Sequence, residues 1–85
     1  MEWDQLLSWQ AEVTDAIDRE QGEIIAYKAI EKVLLVRRDK ARQLDRLFEV
    51  HEIESQLASI HLLMKLKQLM IKQWENQFRM LVKGI

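Results

Sequence analysis

LLVRRDKARQLDRL, residues 34–47, decides the fold of this 85-residue chain. An apolar block gives way to five bases, Arg37, Arg38, Lys40, Arg42 and Arg46, with Asp39 and Asp45 among them. Either the chain turns here or a helix runs through. The spacing argues for a helix, because Ile24, Tyr27, Ile30, Leu34, Ala41, Leu44 and Phe48 follow heptad steps of three and four. Arg37 fills the position between Leu34 and Ala41, where a charge either snorkels out or opens the stripe. The stretch therefore reads as mid-helix.

Working outward, Trp3, Leu6, Leu7, Trp9, Val13, Ala16 and Ile17 form an earlier stripe. Glu2 and Asp4 suit the positive end of its helix dipole. Gly22, just past Arg19, occupies the place of a left-handed C-cap. Beyond Phe48 the stripe re-phases onto Ile53, Leu57, Ile60, Leu63 or Met64, Leu66, Met70, Trp74, Phe78, Leu81 and Ile85. That shift predicts a break near EVHEIES (49–55). Three helices follow, about 3–20, 23–48 and 52–83, in a single domain spanning 1–85. The expected fold is all-α: an antiparallel three-helix bundle or a long helical hairpin or coiled coil. A chain this short buries only about 60% of its unfolded surface, which favours an oligomer.

Composition supports the all-α reading. There is no proline, and only Gly22 and Gly84 interrupt a run of good helix formers. Cysteine is absent, so disulfides and thiolate metal sites do not arise. The opening MEWDQ lacks the basic and then apolar order of a signal peptide. No apolar run reaches the roughly 18 residues of a spanning helix. A cytoplasmic protein, soluble or peripheral to a membrane, is expected.

The net charge of −1 hides a split. Residues 1–31 carry eight acids against Arg19 and Lys28, a balance of −6, whereas residues 32–85 carry eleven bases against six acids, a balance of +5. Such asymmetry predicts either acidic and basic helices packed together or two faces for two partners.

Chemistry-bearing motifs are few. His51 and His61 are ten apart, not the three or four that two helical metal ligands need. No phosphate loop, nucleophile elbow or calcium loop is present, and no cofactor or enzymatic activity is expected. Arg38, Arg42 and Arg46 recur every four residues and would line one helix face, with Lys40 beside it. Guanidinium rows of this kind engage anionic headgroups, although Asp39 and Asp45 are placed to pair with them. Nucleic acid is disfavoured by a pI of about 6.1 and the lack of a recognition motif. The acid-free run Ser55–Trp74 is apolar on most sides, as a bundle's central helix is. Trp3, Leu6, Trp9 and Val13 on one helix and Leu66, Met70, Trp74 and Phe78 on another are the candidate partner interface. The partner would be a second copy or another helical protein.

VLLVRRDKARQLD (33–45) and IKQWENQFRMLVKGI (71–85) together resemble helices in the BAR region of sorting nexins. That resemblance implies a dimeric helical module acting at endosomal membrane, with Arg37, Arg38, Lys40 and Arg42 as headgroup contacts. It covers 28 of the 85 residues, and the phosphoinositide-binding domain that accompanies such modules has no counterpart here.

Overall fold

Good helix formers with nothing to break them leave one question, which is where the chain reverses. The computed structural model describes residues 2–83 and answers with two helices, α1 (Trp3–Gln43) and α2 (Leu47–Lys83). They lie antiparallel in a hairpin with extents of 63 × 15 × 12 Å. At 1.5 Å per residue a 41-residue helix is about 60 Å long, so α1 alone spans the molecule. The stripe position expected at Ile85 lies outside the described residues.

The turn falls inside the stretch that its spacing marked as helical. Leu44 ends α1 and Asp45 adopts φ 54°, in the left-handed region. The Arg46 N–H then donates to the Ala41 carbonyl at 2.9 Å, and the Asp45 N–H to that of Arg42 at 3.2 Å. These two bonds are the Schellman pattern, which satisfies the last carbonyls of a helix. Glycine usually holds the left-handed position, but the short polar side chain of aspartate tolerates it better than most. The Val50 N–H bonds the Arg46 carbonyl at 3.0 Å and starts α2.

Three expectations are corrected here. Gly22 does not cap a helix but sits inside α1 without positive φ, and nothing lies within 4 Å of where its Cβ would be. Its cost of about 1 kcal/mol relative to alanine is too small to break a helix held by packing on both sides. EVHEIES, marked as a break, lies within α2, and its Val50 and Ile53 are buried. Among the described residues the helices therefore number two, not three.

The buried seam runs in steps of three and four along both helices. On α2 it comprises Val50, Ile53, Leu57, Ile60, Met64, Lys67, Ile71, Trp74, Phe78 and Leu81, all buried or half-buried. Steps averaging 3.5 residues keep one stripe turned toward a neighbouring helix along its length. Leu34, Ile53 and Leu57, each 4–6% exposed, form the tightest cluster, with Leu35 and Ile60 against it. Ile30, Leu44 and Phe48, expected on the seam, lie outside it, and the charged seam position is half-buried Arg38 instead of Arg37.

Candidate interaction surface

The polar contacts fix which residues share each side of the hairpin. Glu31 on α1 contacts His61 on α2, and Arg42 Nη2 lies 2.8 Å from Glu54 Oε1. Lys28, Lys32, Lys65 and Gln68 surround the Glu31–His61 contact in a shallow depression. This side of the molecule is charged and solvated.

Helix geometry places a different set on the opposite side. Residues three, four and seven apart share a face, and in an antiparallel pair the positions flanking the seam on one side meet their equivalents. Ala26, Ile30 and Val33 of α1 thereby share a side with Leu63, Leu66 and Met70 of α2. All six are exposed, the five larger ones between 40 and 53%. Val36, Leu62 and Leu69 extend the apolar surface around the back. Single exposed leucines are ordinary, whereas a contiguous apolar band is a candidate interaction site.

Two seam positions on opposite helices are charged, and they meet. Glu20 is buried on α1, and Lys67 Nζ of α2 lies 2.9 Å from its Oε2 and 2.5 Å from Glu23 Oε2. The Glu20 contact is an ion pair without hydrogen-bond alignment, which leaves that oxygen without a directed donor. Contact with the carboxylates of Glu23 first, then Glu20, raises the Lys67 pKa above the usual lysine range, against a smaller opposing effect of burial. The acidic segment of α1 and the basic stretch of α2 are thus joined across the seam. An ion pair at this position disfavours sliding of one helix against the other, because any slip leaves a charge among apolar neighbours.

The sequence-derived interface residues divide. Val13 is buried and Leu6, Trp9, Trp74 and Phe78 are half-buried in the intramolecular seam, where the Trp9 and Phe78 rings stack at 6.1 Å between centroids. Trp3, Leu66 and Met70 remain exposed. The basic row is not one face. Arg38 is half-buried beside Asp39, Arg42 engages Glu54, and Arg46 belongs to the turn, 3.6 Å from Glu49. Lys40 is exposed. Sequence reasoning missed Glu20 and Lys67. A charge on each seam, at positions that an antiparallel hairpin brings level, was the available signal, and it needed the position of the turn to be seen.

The turn also projects apolar groups. Leu44, Leu47 and Phe48 are exposed, Phe48 at 91%. Among the described residues no three or more His, Cys, Asp or Glu cluster to hold a metal, and no helix is long and apolar enough to cross a membrane. Comparison with protein-family models, curated proteins and solved structures found no match to this chain.

Proposed function

We propose that this chain is a non-catalytic helical interaction module of the coiled-coil kind, acting in the cytoplasm, which docks a helical partner on the side of the hairpin lined by Ile30, Val33, Leu63, Leu66 and Met70. The single observation that carries the reading is that band, left uncovered on the side of the hairpin away from the charged cluster of Lys28, Glu31, Lys32, His61 and Lys65. Covering it removes apolar surface from water at roughly 25 cal/mol per Å², before the entropy of association is subtracted. An apolar fluorescent dye, titrated alongside light scattering, tests the reading. The wild-type chain should either bind dye or associate, and the paired substitution Leu63→Glu with Leu66→Glu should abolish both. A wild-type chain that does neither has no functional band.

A second reading is favoured by the turn. Leu47 and Phe48 are exposed at the turn directly after Arg46, whose partner is Glu49, and exposed apolar residues next to a base anchor peripheral proteins on anionic lipid. Contact would be made end-on by the tip, not along an arginine row. Co-sedimentation with vesicles containing phosphatidylserine should be lost on Phe48→Glu. Absence of pelleting by the wild-type chain at low salt ends this reading.

A further inference from the structure

We infer that the occupant of the apolar side is a second copy of this chain, packed face to face about a two-fold axis and turned end for end, so that four helices form one bundle. The inference rests on the docking reading above and names the partner it leaves open.

Coverage is the first argument. Ile30, Val33, Leu63, Leu66 and Met70 each leave 40–53% of their surface in water, and they lie side by side on both helices, so one flat partner layer would cover all five at once. A narrow two-helix hairpin has no other layer with which to cover them, and a four-helix bundle supplies one.

Charge is the second. An interface about a two-fold axis must be complementary to itself. On this side α1 presents Arg37 and Lys40 toward the turn and Glu12 toward the open end, while α2 adds Glu49 and Glu52 toward the turn. Turning one copy end for end lays α1 on its twin, sets Arg37 and Lys40 toward Glu12 of the other copy, and separates each basic pair from its twin. Such pairs at the rim contribute orientation more than affinity.

Register is the third. The Glu31–His61 and Glu20–Lys67 contacts bring Ala26 level with Leu63, and Ala26 lies midway between Glu12 and Lys40 in sequence. The axis therefore passes beside Ala26 and Leu63, where the small alanine lets two α1 helices approach closely.

The chain contains no cysteine, so single introduced thiols report the arrangement cleanly. Sedimentation equilibrium of the full chain should give twice its 10.2 kDa mass. Leu63→Glu with Leu66→Glu should return it to the single-chain mass with helicity by circular dichroism retained. The thiol variants keep the test open should that double variant lose its helices. Ala26→Cys should cross-link to itself under mild oxidation, and Lys40→Cys should cross-link when mixed with Glu12→Cys but not alone. A single-chain mass for the wild type overturns the inference, as does self-cross-linking of Lys40→Cys. If that monomer still binds apolar dye through Leu63 and Leu66, self-pairing fails and the docking reading stands. A monomer that binds no dye sinks both.

Discussion

The half of the hairpin near the turn and the half near the open end are held by different physics. Near the turn Leu34, Ala41, Val50, Ile53 and Leu57 are buried, and the seam is mostly aliphatic. Toward the open end Val13 and Ile24 of α1 are also buried, but the α2 seam is only half-buried from Met64 to Leu81, and it contains Lys67 against Glu20 and Glu23 and the Trp9–Phe78 stack. Contacts near the turn close short loops and cost little chain entropy, so tight aliphatic packing can nucleate there. Contacts far from the turn close long loops and tolerate register slips, which a charged pair resists. The turn-side half buries both helices' seams, whereas the open half buries mainly that of α1 and adds the charged pair that aligns the two.

The largest expected effect breaks the stable half. Leu57→Ala removes a residue 4% exposed that packs with Leu34 and Ile53, and large-to-small changes at such sites cost about 2–5 kcal/mol. In a layer only two helices thick the surroundings can collapse into the gap, so about 2–3 kcal/mol is expected from the shift in urea midpoint. The equivalent change at half-buried Leu81 should cost about 1 kcal/mol, since less surface leaves water. Equal costs at the two positions would dissolve the distinction. Hydrogen exchange gives the same test without substitution: amides around Ile53 and Leu57 should exchange more slowly than those beyond Trp74.

A smaller effect sharpens the other half. Lys67→Met should lower the unfolding midpoint, because Glu20 is left buried without its partner. Glu20→Leu combined with Lys67→Leu should recover the midpoint or exceed it, while weakening alignment, visible as broader or doubled amide resonances around Glu23 and Lys67. The pH dependence has a definite sign. Lys67 is raised above its ordinary value of 10.5 in the folded chain, so its contribution is fully present below 10.5 and is lost as pH rises through the folded pKa. Wild type minus Lys67→Met should hold constant from neutral to mildly alkaline pH and shrink only in strong alkali. A difference that shrinks already near pH 8 would show that this ammonium is not held by the two glutamates.

The same contrast explains what could be read in the sequence. Helix content was legible because nothing in the composition opposes it, and the amphipathic stripes were legible because apolar residues recur in steps of three and four. Two stripes exist on each helix, however, and spacing alone does not say which is buried. Ile30 and Leu66 fit a stripe as well as Tyr27 and Lys67 do, and the structure buries the set containing charges, within which Glu20 and Lys67 satisfy each other. The turn was illegible for a related reason. Asp45 carries it without glycine or proline, so the apolar spacing of Leu44 and Phe48 runs past the point where the backbone reverses.

Backbone substitutions give the last and smallest test, one in each half. Gly22 stands mid-helix in the open half, where a Cβ meets nothing, and Asp45 stands in left-handed geometry at the turn, where glycine is the preferred residue. Each is the residue the other position wants. Gly22→Ala should raise stability by about 1 kcal/mol through helix propensity. Asp45→Gly should change it by no more than about 1 kcal/mol, because relief of the left-handed cost is offset by the greater freedom of glycine in the unfolded chain. Asp45→Val separates these contributions: it keeps the unfolded chain restricted and puts a β-branched side chain at φ 54°, so a loss of about 1–2 kcal/mol is expected. A tolerated valine would mean that the turn is set by burial of Ala41 and Val50 on either side of it and not by the conformation of Asp45. The turn-side half would then position the reversal as well as stabilise it.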